Sequence, residues 1–202
     1  MIGLALVSVS IIAEWDKSGI ASLDTAKLKA AVRRALRKAG ATALRDMRSE
    51  ASKRIKARKR IASKYISRAL SLRTDKGADI ADMSWALNVS GQPVPLIAYP
   101  HRAVAGRTGK RGMGPRSMGG VSVEVNTGKR TLLRGAFVAT MANGHQGIFR
   151  RRGAARLPIE ELLGSRPVDA LLHQGEADAV AARGGQSFGA TFTRLLPLEV
   201  GK

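Results

Sequence analysis

The stretch TLLRGAFVATMANGHQGIFRRR, residues 131–152, decides the fold. Asn143-Gly144 is the strongest turn dipeptide in the chain, because Asn and Gly tolerate the positive φ that a two-residue hairpin turn demands. Apolar runs flank it: Leu132 to Met141, centred on Phe137 and Val138, and Gln146 to Arg152, carrying Ile148 and Phe149. Two such runs around such a dipeptide read as antiparallel strands. Just upstream, Val121-Ser122-Val123-Glu124-Val125 alternates with period two, and Thr127-Gly128-Lys129 supplies another tight turn. The region 121–152 is therefore expected to be an antiparallel sheet built from consecutive hairpins.

The chain upstream of this sheet has a different period. Leu28, Ala31, Val32, Ala35, Leu36 and Ala39, then Ala43, Met47 and Ala51, recur at three- and four-residue spacing. That pattern predicts a helix from Leu23 to about Ile55, with Ser22 or Asp24 as N-cap. Gly40 lies inside it, where glycine weakens a helix by about 1 kcal/mol. Ile61, Tyr65, Ile66, Ala69 and Leu70 predict a second helix over 58–72. Thr74-Asp75-Lys76-Gly77 reads as a linker, and Met83 to Val89 as a half-buried strand. Residues 1–15 read as a buried strand, closed by a Lys17-Ser18-Gly19 turn. The apolar start lacks the basic flank and small-residue cleavage site of a signal peptide, and it is too short to span a bilayer.

Residues 100–118 mix His101, Arg102, Arg107, Lys110, Arg111 and Arg116 with glycine and proline, and read as a mobile basic loop. Residues 153–166 read as irregular. A last helix is expected from Val168 through Leu171, Leu172, Ala179 and Val180, interrupted at Gly184-Gly185, with Phe188, Phe192, Leu195 and Leu196 continuing the spacing. This order gives an α+β chain: N-terminal basic helices, an antiparallel β-sheet with a long basic loop, and a C-terminal helix. Its 202 residues suit a single domain, 1–202.

The residues offer no catalytic constellation. His101, His145 and His173 lie in three separate segments, outside any metal-ligand or triad spacing. Adjacent Glu160 and Glu161 read as capping acids before a short helix. Gly109-Lys110-Arg111-Gly112 lacks the spacing of a phosphate-binding loop. Acids are too sparse for a Mg²⁺ centre, and with no cysteine there is neither disulfide nor thiolate metal site. No catalytic, cofactor or metal residue is expected, and the protein reads as a non-enzyme.

Charge points instead to partners. The net charge is +20, from 35 Lys+Arg against 15 Asp+Glu. Between Lys27 and Arg73 stand 17 basic residues and two acids, Asp46 and Glu50. Arg33, Arg34, Arg37, Lys53, Arg54, Lys59 and Arg60 are candidates for contact with DNA phosphates or with an acidic protein neighbour, and the sequence leaves both open. No sequence-reading DNA-binding motif is present, and at 4% the aromatic side chains that stack on bases are scarce. Arg150, Arg151, Arg152 and Arg156 are either an anchor to a neighbouring subunit or a solvated strand end.

A resemblance narrows these readings. Arg134-Gly135-Ala136-Phe137-Val138-Ala139, then Gly147-Ile148-Phe149-Arg150-Arg151, then Arg156-Leu157-Pro158-Ile159-Glu160-Glu161-Leu162-Leu163-Gly164 resemble the prophage minor tail protein Z family of tail completion proteins. The Ala- and Arg-rich helix followed by Lys59-Arg60-Ile61 is similar too. The best-matching part covers 119–170, and the weaker N-terminal similarity extends it over most of the chain. The resemblance implies a structural virion protein of a long-tailed phage, made in the bacterial cytoplasm. It would sit in the neck at the head-proximal end of the tail, as a ring of copies contacting other tail and neck proteins, with no membrane role. Arg150, Arg151, Arg152, Arg156, Leu157, Pro158 and Ile159 would then supply protein contacts, and the basic residues would meet an acidic ring or DNA in the channel. The alternative is a nonspecific nucleic-acid-binding protein, or an assembly factor absent from the mature particle.

Overall fold

A computed structural model describes residues 9–12, 26–76, 80–108, 115–117, 119–173 and 175–201. The Ser22 or Asp24 cap, the Lys17-Ser18-Gly19 turn, Gly77, Lys110, Arg111 and most of the 1–15 strand lie outside them. In chain order the elements are β1 (Val9–Ile12), α1 (Ala26–Arg58), α2 (Ser63–Ala69), β2 (Leu70–Asp75), β3 (Ser84–Val89), β4 (His101–Val104), β5 (Arg107–Thr108), β6 (Pro115–Ser117), β7 (Gly120–Asn126), β8 (Lys129–Arg134), β9 (Ala136–Thr140), β10 (Gln146–Arg151), β11 (Ile159–Glu161), α3 (Val168–Leu171) and α4 (Glu176–Val200). Helices at both ends with antiparallel sheets between them make the chain α+β, as its sequence pattern predicts. The chain divides into two compact units, residues 1–54, 67–91 and 168–202 in the first and residues 55–66 and 92–167 in the second.

The first unit sets α1 and α4 with an antiparallel sheet of order β1-β3-β2. The apolar spacing read from the sequence is the buried stripe of α1: Ala31, Val32, Ala35, Leu36, Ala39, Ala43, Met47 and Ala51 are all buried. Val32, Leu36, Ala39, Ala43 and Leu44 form one core cluster with Met83, Trp85 and Phe188. Gly40 is required by that cluster, because a Cβ there would lie 2.0 Å from Cε2 of Trp85. The indole occupies the space a side chain would need, so close packing outweighs the local cost to the helix. Trp85 and Phe188 sit with ring centroids 5.4 Å apart, and Phe188 stacks on Phe192 at 6.0 Å.

Two expectations for this unit are corrected. The helix expected over 58–72 is helical only at Ser63–Ala69. Leu70–Asp75, including Thr74 and Asp75 of the expected linker, is strand β2. Leu70 pairs with Val89 and Leu72 with Leu87, so β2 supplies the second hydrogen-bonded neighbour of β3. Ile66 and Leu70 are four apart, a spacing that helix periodicity alone assigns to one face. The expected break at Gly184-Gly185 does not occur, since α4 runs through both. Val180, Gly184 and Phe188 are buried at four-residue intervals, and tertiary burial carries the helix across a pair of weak formers.

The second unit is strand-rich, with sheets of order β4-β7-β8 and β11-β10-β9 and a small β5-β6 pair. Val121, Val123, Ala136, Ile148 and Phe149 are its buried strand residues. The hairpin at Asn143-Gly144 forms, with a three-residue loop, 142–144, in place of a two-residue turn: Gly144 has φ 78°, Met141 donates to the carbonyl of His145 at 2.7 Å, and Gln146 pairs with Thr140. The turn at Gly128 forms too, with φ 77°. Tyr99 is buried and donates its hydroxyl to the carbonyl of Ser165 at 2.9 Å.

Three details of this unit differ from the sequence expectation. The single strand expected over Leu132–Met141 is broken at Gly135, whose φ of 71° turns the chain out of one sheet and into the other. Period-two alternation runs on through a glycine, so it conceals such a break. Part of the 100–118 segment read as loop is strand: His101–Val104 pairs with β7. The irregular 153–166 segment contains β11, so Glu160 and Glu161 are strand residues paired opposite Arg150 and Phe149, not capping acids.

Candidate interaction surfaces

Two groups of cations behave differently. In the first unit, α1 and α4 run antiparallel and are joined at three ion-pair stations. Glu199, 3% exposed, accepts from Nε of Arg34 at 2.8 Å and from Nζ of Lys38. Arg183 faces Asp46 at 3.6 Å. Arg54 bridges Glu50, at 2.7 Å, and Glu176. The Glu176 hydrogen bond, with Glu50 adding to it and burial opposing, holds the Arg54 guanidinium above its ordinary value. A raised base contributes stability until pH climbs through its folded value, and here that lies above the ordinary arginine range, so Arg54 stays charged throughout biological pH.

The sequence-predicted contact residues therefore fall into classes. Arg34 and Arg54 are engaged within the first unit. Arg33 is half-buried, while Arg37 and Lys53 are exposed on α1. In the second unit Nζ of Lys59 donates to Oδ1 of Asn126 at 2.7 Å, and Arg60 lies 3.6 Å from Glu124. The backbone of 58–60 runs beside 125–127, with Arg60 donating to Val125 and Thr127 to Arg58.

The second candidate set is brought together at one end of the β10–β11 hairpin. Arg152 donates its backbone N–H to the carbonyl of Pro158, closing the loop that carries Arg156 and Leu157. Arg150 is half-buried opposite Glu160, Arg151 lies over the Phe137 ring at 5.2 Å, and Arg152 donates to Glu160 at 2.9 Å. Arg156 is exposed, Leu157 is 67% exposed before the cis peptide to Pro158, and Ile159 is half-buried in β11. Exposed Leu157 and Arg156 thus stand side by side in this loop, next to exposed Arg152. His145, in the turn between β9 and β10, meets Glu161 of β11 at 3.0 Å.

Sequence reasoning missed two features. Glu199 is one acid near the end of the chain, and only the antiparallel packing of α4 on α1 makes it the partner of Arg34 and Lys38. Arg102, Arg130 and Arg134 were not grouped, because their proximity arises from the registers of β4, β7 and β8. Among the described residues no cluster of three potential metal ligands exists, and no helix is long and apolar enough to cross a membrane.

The described residues thus form an α+β fold with exposed cations and an exposed leucine on its surface. The family model for prophage minor tail protein Z (GPZ) matches residues 16–182, and the chain belongs to that family. It is thus a structural protein of the phage-tail class, a class of virion components that work by contact with other tail components. No curated protein and no solved structure matches it.

Proposed function

We propose that the protein completes the head-proximal end of a phage tail, in the neck, where copies of the chain form a ring that joins tail to head. The whole chain acts as one tail-completion unit, without catalysis and without a cofactor. The observation that carries this reading is the family match over 16–182. The candidate interface of Arg150, Arg151, Arg152, Arg156, Leu157, Pro158 and Ile159 supports it, because exposed Arg151, Arg152 and Arg156 close in sequence to exposed Leu157 suit a protein interface. A head-to-tail contact between copies closes into a ring when its rotation closes. Arg37 and Lys53, exposed on α1, are the cations best placed to meet DNA in the channel or an acidic neighbour.

Quantitative proteomics on purified particles, joined to gold labelling of a tagged copy, tests the proposal. A fixed, small copy number with label at the head–tail junction is expected. Label along the tail tube or at its tip would sink the neck assignment while leaving the tail role standing. A second reading is favoured by the net charge of +20: nonspecific nucleic-acid binding, or an assembly factor that leaves before the particle matures. It requires absence from intact particles and duplex binding that falls steeply with salt.

A further inference from the structure

The outer edge of β8 is a basic, exposed strand edge. It is an edge strand in the order β4-β7-β8, and among the described residues nothing pairs with its far side. Five of its six residues are exposed, Leu133 being half-buried. The ladder fixes which backbone groups face outward. Gly135 donates to the carbonyl of Gly119 in the β7–β8 register, and hydrogen-bonded pairs alternate along an antiparallel ladder. The N–H and C=O groups of Arg130, Leu132 and Arg134 therefore point away from β7.

The side chains of these same three residues share one face of the sheet. By register, Leu132 lies beside Ser122 and then Arg102, and Arg130 lies beside Glu124. Glu124 is the single acid in β4, β7 and β8, against Arg102, Lys129, Arg130 and Arg134. It is already engaged, lying 3.5 Å from Arg130 and 3.6 Å from Arg60 and accepting from the N–H of Gly128. A surplus of positive charge thus borders a row of outward backbone donors and acceptors, with Leu132 43% exposed at its centre.

We infer that the β8 edge docks an extended acidic segment of another tail protein, which adds to the sheet as a fourth strand. Strand addition uses the backbone row for affinity and the alternate side chains for selection, so acids opposite Arg130 and Arg134 and an apolar residue against Leu132 are favoured. A second β8 is disfavoured, because the symmetric register that satisfies the outward amides sets Arg130 of one copy against Arg134 of the other, twice. The acidic strand β11 of a second copy is disfavoured as well, since Glu160 and Glu161 are held by Arg152 and His145. Nucleic acid would use the guanidinium groups and leave the backbone row and Leu132 without a role.

The inference rests on the assembly role proposed above, but its test does not require the particle. The probe is a labelled ten-residue peptide of alternating Glu and Val, titrated into the full-length protein, with amide exchange followed at single residues. Saturable binding is expected, with protection at Arg130, Leu132 and Arg134. Leu132→Pro is expected to weaken binding by about tenfold or more, since it removes an outward amide but no β7–β8 hydrogen bond. Arg130→Glu with Arg134→Glu is expected to do the same, and an alternating Lys-Val peptide is expected not to bind. The idea is overturned if the acidic peptide fails to bind or protects other amides, or if duplex DNA occupies the edge in its place. Concentration-dependent self-association abolished by Leu132→Pro would overturn it in favour of a second copy. Unchanged circular dichroism of the variants keeps a folding defect from mimicking lost binding. Peptide binding by a protein absent from particles would refute the neck reading and leave the docking edge intact.

Discussion

The two units use the same residue types, Lys and Arg, for opposite ends. In the first, Arg34, Lys38, Arg54 and Arg183 each meet a carboxylate, and the pairs tie α4 to α1 at three places along their length. In the second, β4, β7 and β8 carry four Lys or Arg against Glu124 alone, and their surplus faces outward. The lesson is that a net charge of +20 is not one surface property. Part of it is internal fastening, and only the unmatched remainder is available to a partner.

The contrast sharpens most at the core of the first unit. Trp85→Ala removes the side chain that joins β3 to α1 and α4, and should cost about 4 kcal/mol in denaturant unfolding, as large aromatic truncations do. A loss below about 1 kcal/mol would mean that the cluster around Trp85 is not the organising core. Gly40→Ala comes next. Helix propensity alone predicts a gain of about 1 kcal/mol, but the indole 2.0 Å from the new Cβ should turn that into a net loss of about 2 kcal/mol by overpacking. A stabilised variant would show that α1 does not lie against Trp85.

The ion pairs give smaller effects. Glu199→Gln leaves Arg34 and Lys38 without their carboxylate at a buried site. Because both cations are about half exposed, the expected loss is about 1–2 kcal/mol, less than for a fully buried pair. Its thermal midpoint should also lose part of the wild-type sensitivity to salt, and an unchanged salt profile would separate Glu199 from the fastening role. Smallest in stability is Arg152→Ala, expected below about 0.5 kcal/mol because the Arg152–Glu160 pair is exposed. Changing Arg150, Arg151 and Arg152 together to Ser should nevertheless reduce assembly and infectivity. Normal particle yield from that triple variant would remove these arginines from the interface and sharpen the division between fastening and contact charges.

Legibility in the sequence followed the range of the interactions. The stripe of α1 was readable from Ala31 to Ala51 because one helix face repeats every three or four residues. The hairpin at Asn143-Gly144 was readable because its turn chemistry is local. The strand β2 was not, since Ile66 and Leu70 satisfy helical spacing and only pairing with β3 decides between the two states. The break at Gly135 and the continuity of α4 through Gly184-Gly185 share a cause: a glycine states what is permitted, and its surroundings choose. Of the candidate surfaces, the Arg150–Ile159 patch was legible as a run. The cluster of Arg60, Arg102, Arg130 and Arg134 was not, because those four residues come from two strands, β4 and β8, and a segment after α1.

The sequence by itself determined the α+β class, the long first helix with its buried face, the main hairpin and the family, because periodicity, turn residues and motif order are properties of neighbouring positions. Tertiary structure alone decided which cations are neutralised and which face outward. An ion pair between Arg34 and Glu199 joins positions 165 apart, and a strand edge is free or covered only by virtue of what the rest of the chain brings beside it.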